Sequence, residues 1–108
     1  MQTTLVLPAP ALNLSETYVY PNPFKPGSGS VFDAPKIVFK KLTDRATIKV
    51  YSYAGQLVAT LHKTDTSVDY YEWDAKNETG EYVASGVYVY LITNTSGEKI
   101  SGKFGIIR

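Results

Sequence analysis

Apolar and polar residues alternate along most of this chain, and the alternation predicts β-strands. Residues 47–53 show it most clearly, because Ile48 and Val50 point to one face while Lys49 and Tyr51 point to the other. Further strands are predicted at residues 37–39, 56–61, 70–73, 86–92 and 99–108. Turn residues separate these segments about every eight to twelve positions, which is typical of antiparallel sandwiches. The predicted fold class is therefore all-β, an antiparallel β-sandwich that needs no helix.

Two segments add detail to this pattern. Residues 86–92 are apolar on both faces, which predicts a central strand that is covered on both sides. Ala54-Gly55 predicts a two-residue hairpin loop before the strand that begins at Gln56.

The segment Val19-Tyr20-Pro21-Asn22-Pro23-Phe24-Lys25-Pro26, called here the proline-rich segment, predicts an irregular entry into the sandwich. Proline fixes φ, lacks a backbone donor and favours an extended residue before it. We therefore expect an extended edge segment that turns a corner. Phe24 should close one end of the sandwich, and the prolines should prevent further strand pairing.

Length and composition indicate one β domain with a short segment before it. The chain has 108 residues, enough for one domain with its own core. Residues 1–17 carry two prolines and an alternation of Leu5 and Leu7 without a partner strand. We expect a linker or the end of a preceding domain at 1–17 and the β domain at 18–108, as part of a longer protein.

The charge balance argues against nucleic acid and lipid as partners. Eleven Lys and Arg residues face ten Asp and Glu residues, the net charge is +1, and the basic residues are not clustered. No apolar run approaches the ~20 residues of a membrane span, and no signal-peptide pattern is present. The chain has no cysteine, which excludes disulfides and thiolate metal sites. We expect no nucleic-acid partner and no membrane insertion.

Residues with catalytic chemistry are present, but they do not form a recognisable catalytic motif. His62 is the one histidine and is expected at the surface. Residues 97–103 have the glycine and lysine spacing of a phosphate-binding loop, but Phe104 replaces the metal-binding hydroxyl. We predict neither an enzyme nor a cofactor site. A calcium site is a weaker alternative to ordinary turns for Asp74, Asn77, Glu78 and Glu81.

Nine tyrosines allow two interpretations. They fill sheet faces with their hydroxyls in solvent, or some of them form an aromatic platform for a polysaccharide. The platform would consist of Tyr18, Tyr51, Tyr53, Tyr70, Tyr82 and Tyr90. We favour the first interpretation, because the alternation accounts for most of their positions.

A series of motifs over residues 18–108 resembles a known family. The motifs are Tyr20-Pro21-Asn22-Pro23-Phe24, Ile37-x-Phe39, Ile48-x-Val50-Tyr51, Gly55-x-Leu57-Val58, Trp73-Asp74, Gly80, Val83-Ala84-Ser85-Gly86-Val87-Tyr88 and the closing Lys103 to Arg108. Their order resembles that of the C-terminal sorting domains of bacterial type IX secretion cargo. The immunoglobulin-like domain of the flagellar hook-capping protein shares much of the pattern.

The resemblance implies a non-catalytic, immunoglobulin-like antiparallel β-sandwich of about seven strands at the end of a large exported protein. It also implies passage through the periplasm, recognition by the secretion machinery or a cell-surface component, and secretion or surface attachment. The upstream domains of the same chain would be the cargo. The alternatives are an immunoglobulin-like structural or carbohydrate-binding accessory module of an extracellular enzyme, and a hook-capping scaffold domain.

These considerations give three sets of predicted residues. Trp73 and Tyr88 should lie in or at the edge of the core, as in tyrosine-corner sandwiches. Lys99, Lys103 and Arg108 should form a recognition surface on the hairpin from Tyr88 to Arg108, whose strand edge can pair with a partner. The other motif residues should be structural: Tyr20, Pro21, Asn22, Pro23, Phe24, Gly55, Asp74, Gly80 and Gly86.

Overall fold

The computed structural model describes residues 9–108, and this range forms seven β-strands and no helix, hence no helix that could cross a membrane. The strands are β1 (Tyr18–Tyr20), β2 (Ile37–Lys40), β3 (Ala46–Ser52), β4 (Leu57–Lys63), β5 (Tyr70–Trp73), β6 (Gly86–Asn94) and β7 (Lys99–Ile106). The strands predicted from the alternation are all present, with ends shifted by at most two residues. The alternation at Leu5 and Leu7 lies outside the described residues.

The seven strands form two antiparallel sheets that pack face to face. One sheet has the order β1-β2-β5, and the other has the order β4-β3-β6-β7. The predicted immunoglobulin-like sandwich is confirmed. In the larger sheet, β3 and β6 each have a neighbour on both sides, so β4 and β7 are its two edge strands.

Phe104 on β7 joins the two sheets at the centre of the core. Its ring centre lies 6.2 Å from those of Phe39 on β2 and Trp73 on β5, and 5.8 Å from that of Tyr88 on β6. All four side chains are buried, so the predicted positions of Trp73 and Tyr88 are confirmed. Leu14 is buried in the same core. Division of the chain into linker and domain at residue 18 stays a prediction.

β6 is central in its sheet, as predicted, but only one of its faces is covered. Tyr88, Tyr90 and Ile92 are buried against the other sheet, whereas Val87 on the opposite face is 47% exposed. The prediction of cover on both sides was wrong, because each sheet of a two-layer sandwich packs through one face. Apolar residues on the other face are shielded only by their neighbours on the same sheet.

Three loops share one turn geometry. They are Ser52-Tyr53-Ala54-Gly55, Asn77-Glu78-Thr79-Gly80 and Asn94-Thr95-Ser96-Gly97. In each, the glycine N–H donates to the first residue's carbonyl at 2.9–3.2 Å, and the glycine φ lies between 82° and 89°. A type I turn followed by a left-handed residue makes a three-residue hairpin loop. The predicted two-residue loop at Ala54-Gly55 was therefore wrong, because Tyr53 also belongs to the loop.

β4 ends in a buried lysine. Lys63 is 2% exposed, and its Nζ donates to the backbone carbonyls of Asp44 at 2.8 Å and Asp65 at 2.6 Å. Burial lowers the pKa of the Lys63 ammonium, and the nearby Asp65 opposes this shift. The lysine thus holds two loops together at one end of the sandwich.

Candidate recognition surface

The proline-rich segment covers one half of the outer edge of β7. The Phe24 N–H donates to the Gly105 carbonyl at 2.8 Å, and the Ile107 N–H donates to the Phe24 carbonyl at 2.9 Å. The Asn22 side chain accepts a bond from the Gly105 N–H at 3.0 Å and donates to the Lys103 carbonyl at 3.4 Å. Phe24 itself is buried. The segment therefore closes this end of the sandwich, as the sequence predicts.

The other half of the β7 edge is open. In an antiparallel strand, the backbone groups of every second residue point to the same side. Since the groups of Gly105 face the proline-rich segment, those of Ser101 and Lys99 also point away from β6. Within residues 9–108, no backbone group bonds to the outward N–H or C=O of Ser101. We call the outward groups of Lys99 and Ser101, with the N–H of Lys103, the open edge.

The four-stranded sheet has an outer face without acidic residues. None of its strands, β3, β4, β6 and β7, contains Asp or Glu. Lys49, Lys99 and Lys103 are exposed on this face, called here the basic face. Lys49 pairs with Leu91 on β6, which in turn pairs with Ser101 on β7. The face therefore presents positive charge above a partly apolar surface.

Two carboxylates beside this sheet bond to other groups. Glu98 accepts a bond from the Asn94 side-chain amide at 2.8 Å and one from the Leu14 N–H at 3.4 Å. Glu78 accepts a bond from the Thr60 N–H at 2.7 Å, at the opposite edge of the sheet. Among the described residues, neither carboxylate lies within 4.0 Å of a lysine ammonium of the basic face.

Arg108 lies apart from the two predicted lysines of β7. Its Nε donates to the Val83 carbonyl at 2.7 Å, its N–H donates to the Ser85 hydroxyl at 2.8 Å, and its guanidinium lies 4.9 Å from the centre of the Tyr82 ring. Arg108 therefore packs on the loop before β6. A recognition role for it stays a prediction.

The polar atoms of Trp73 and Tyr88 are satisfied inside the fold. Trp73 Nε1 donates to the Lys76 carbonyl at 3.1 Å. The Tyr88 hydroxyl donates to the Ala84 carbonyl at 2.6 Å, the upstream backbone bond that characterises a tyrosine corner. Burial raises the pKa of this hydroxyl. Asp74 accepts a bond from the Lys76 N–H at 3.3 Å, which fixes the turn after β5.

The residues considered for calcium instead build the turn between β5 and β6. The Asn77 side-chain oxygen accepts bonds from the N–H groups of Thr79 and Glu81, both at 3.0 Å. The Glu81 carboxylate accepts a bond from the Thr79 hydroxyl at 3.0 Å, and Glu78 points to β4. The described part of the chain contains no group of three His, Cys, Asp or Glu side chains that could hold a metal.

The six tyrosines considered as a sugar platform lie on different surfaces. Tyr18 and Tyr70 flank Lys40 on the three-stranded sheet. Tyr51 lies on the other sheet, and Tyr90 is buried in the core. They do not form one continuous platform.

Comparison with known sequences shows the family to which this chain belongs. The sequence profile of the CHU_C type IX secretion signal domain matches residues 17–107. The chain belongs to this family. A type IX secretion signal domain is a non-catalytic sorting module that interacts with the secretion machinery and directs export to the cell surface or the extracellular space.

The fold of this secretion signal domain is similar to part of PorZ. PorZ is described as an essential bacterial surface component of the type-IX secretion system of Porphyromonas gingivalis. The similarity has a TM-score of 0.70 at 27% sequence identity, and it covers 88% of this chain and 12% of the PorZ chain. No curated protein sequence matches the chain.

Sequence reasoning missed two features of the surface of the secretion signal domain. The bond between Asn22 and Gly105 joins positions 83 residues apart, and no local pattern signals it. Lys49 was predicted to face outward, but its place beside β6 and β7 follows only from the strand order. The strand order was thus the information that the sequence lacked.

Proposed function

We propose that this domain is the sorting and surface-attachment signal of a larger exported protein, and that the signal is read from the folded β6–β7 hairpin. The match to the type IX secretion signal domain over residues 17–107 carries the proposal. Other domains of the same chain would be the cargo. The family match favours sorting over the hook-capping scaffold alternative.

The contacts of the motif residues support a signal that depends on the fold rather than on chemistry. The polar atoms of Trp73, Asp74 and Tyr88 bond to backbone groups nearby. What the hairpin leaves accessible is the open edge and the lysines beside it. A secretion component would therefore recognise backbone groups and positive charge on a preformed strand.

Export of a reporter tests the proposal. The 108-residue chain is fused to the end of a periplasmic reporter and expressed in a host with a type IX secretion system and in a mutant lacking it. We expect reporter activity outside the cells or on their surface only when both the domain and the secretion system are present. Periplasmic retention of the intact fusion in the competent host would contradict the sorting function.

Charge variants test where the signal is read. Lys99→Glu/Lys103→Glu should reduce export, because it reverses the charge beside the open edge. Lys36→Glu/Lys41→Glu, at exposed positions outside the four-stranded sheet, makes the same change in net charge and is the matched control. Thermal melting establishes that both variants fold. Equal export of the two variants would place the signal elsewhere on the domain.

A polysaccharide remains the alternative partner. Tyr18 and Tyr20 are 45% and 43% exposed on β1, and their ring centres lie 5.7 Å apart. Exposed tyrosine faces can stack on sugars. Such a role would belong to the three-stranded sheet and is independent of the β6–β7 hairpin.

A further inference from the structure

We propose that the open edge binds an extended acidic segment of a partner protein, which adds as a fifth strand beside β7. The inference rests on the proposed sorting function, because it names the surface and the kind of partner through which the signal is read.

The backbone of β7 offers the bonds that strand addition requires. Ser101 presents an N–H and a C=O, and the neighbouring outward groups belong to Lys99 and Lys103. The stretch Lys99 to Gly102 is roughly 13 Å long at about 3.3 Å per residue. Beyond it, Asn22 and Phe24 occupy the edge. A partner strand that pairs here is therefore short or turns away at Lys103.

The charge of the basic face selects an acidic partner. Lys99 and Lys103 flank Ser101 on the outer face, so an added strand places its outward side chains beside both ammonium groups. Opposite charges on adjacent strands stabilise pairing, and like charges destabilise it. No Asp or Glu on the four strands competes for these lysines. Pairing between two copies of β7 is disfavoured, because lysine would meet lysine.

The opposite edge of the same sheet, formed by β4, is less suited to binding an acidic strand. On β4, the Glu78 carboxylate already accepts the bond from the Thr60 N–H at 2.7 Å. It occupies the outward N–H of Thr60 and places a negative charge where an acidic strand would lie. The two edges of one sheet thus differ in both free backbone groups and charge, and β7 is the edge suited to an acidic strand.

Nuclear magnetic resonance titration of the whole ¹⁵N-labelled chain tests strand addition. The probe is a short capped peptide that alternates glutamate with threonine, and the matched peptide alternates lysine with threonine. We expect the acidic peptide to shift the amide signals of Ser101 and Lys103 and to slow their hydrogen exchange. The Gly105 amide, already bonded to Asn22, should be unaffected, and the basic peptide should not bind.

A proline substitution separates strand addition from simple attraction of charges. Ser101→Pro removes an outward N–H, and edge strands accept proline where the N–H faces solvent. We expect the Ser101→Pro variant to bind the acidic peptide roughly tenfold more weakly than the unmodified chain. His62→Pro is the matched control, because His62 lies two residues after Thr60 on the β4 edge and its N–H also points outward. Melting curves show whether each variant remains folded.

Two results would overturn the inference. In one, Ser101→Pro binds the acidic peptide as tightly as the unmodified chain. In the other, the peptide shifts signals around Lys49 and Leu91 without protecting the Ser101 amide, which would indicate docking by charge alone.

The reporter fusion distinguishes this failure from failure of the sorting function. Loss of export in the Ser101→Pro fusion, with normal export of the His62→Pro fusion, supports recognition at the open edge. If the intact and Ser101→Pro fusions are exported equally, sorting stands and strand addition at this edge is wrong. If the intact fusion stays in the periplasm, the sorting function itself is wrong.

Discussion

At the scale of single residues, Phe104 carries the contact between the sheets. It lies on an edge strand, yet its ring meets aromatic rings from β2, β5 and β6. The backbone carbonyl of Lys103 and the backbone N–H of Gly105 point away from β6, and both bond to the Asn22 side chain. One strand therefore supplies the centre of the core with one residue and the recognition surface with the next.

We expect Phe104→Ala to lower the free energy of unfolding by about 3–5 kcal/mol, because it removes a buried aromatic ring and leaves a cavity. Trp73→Ala should fall in the same range. Urea unfolding measures both. Tyr53→Ala is the control, because Tyr53 is 72% exposed and its loss should cost less than about 1 kcal/mol. Unchanged unfolding of Phe104→Ala would contradict the central place of this ring.

At the scale of elements, the hairpin loops follow one rule of sequence. Each begins with Ser or Asn and ends with a glycine at positive φ, followed by Gln or Glu. The side chain of the first residue accepts a bond from the N–H after the glycine, at 2.9 Å for Asn94 and 3.2 Å for Ser52. The loop joining β6 to β7 thus fixes the register of the hairpin that we propose as the signal.

Gly97→Ala should lower the free energy of unfolding by about 1–2 kcal/mol, because an L-residue is strained at this positive φ. Space is not the cause, since an added Cβ would have no neighbour within 4 Å. Gly86→Ala is the matched control, because its added Cβ would make an ordinary contact at 3.8 Å with Tyr88. Equal unfolding midpoints for the two variants would show that the loop backbone carries no such strain.

The elements that sequence could predict are those with local causes. The strands at Thr47 and Lys99 follow from alternation, and the tyrosine corner at Tyr88 follows from its place in the strand. The burial of Lys63 was not predictable, because lysine is usually exposed and its carbonyl partners lie in two different loops. The cover of β7 by Asn22 was missed because it depends on the meeting of distant segments.

At the scale of the whole molecule, the shifted pKa values of several side chains determine how the stability of the folded chain changes at alkaline pH. Burial raises the pKa values of Tyr88 and Tyr90, and the hydrogen bond to Asp69 raises that of Lys40. Each group holds its proton more tightly in the folded chain, so its stabilising contribution is complete below its ordinary pKa and is lost as the pH rises through the folded value. Lys63 acts in the opposite direction, because its lowered pKa favours folding as the pH approaches 10.5.

We therefore expect Tyr88 and Tyr90 to lower the free energy of unfolding as the pH rises above 10, the ordinary tyrosine value. Urea unfolding between about pH 8 and pH 11 measures this decline. Tyr88→Phe should make it shallower by removing one group that must ionise. A pH profile that Tyr88→Phe leaves unchanged would contradict the assignment.

Asn22 and Phe24 cover part of the β7 edge, so the length of edge that stays exposed depends on whether the domain has finished folding. Pairing of β7 with β6 is local, but the bonds to Gly105 need a segment from more than eighty positions earlier. A chain that has formed only the hairpin exposes the whole β7 edge, whereas the finished domain exposes only the part near Ser101. A receptor whose binding site fits a short edge ending at a closed corner would therefore admit finished molecules and pass over unfinished ones.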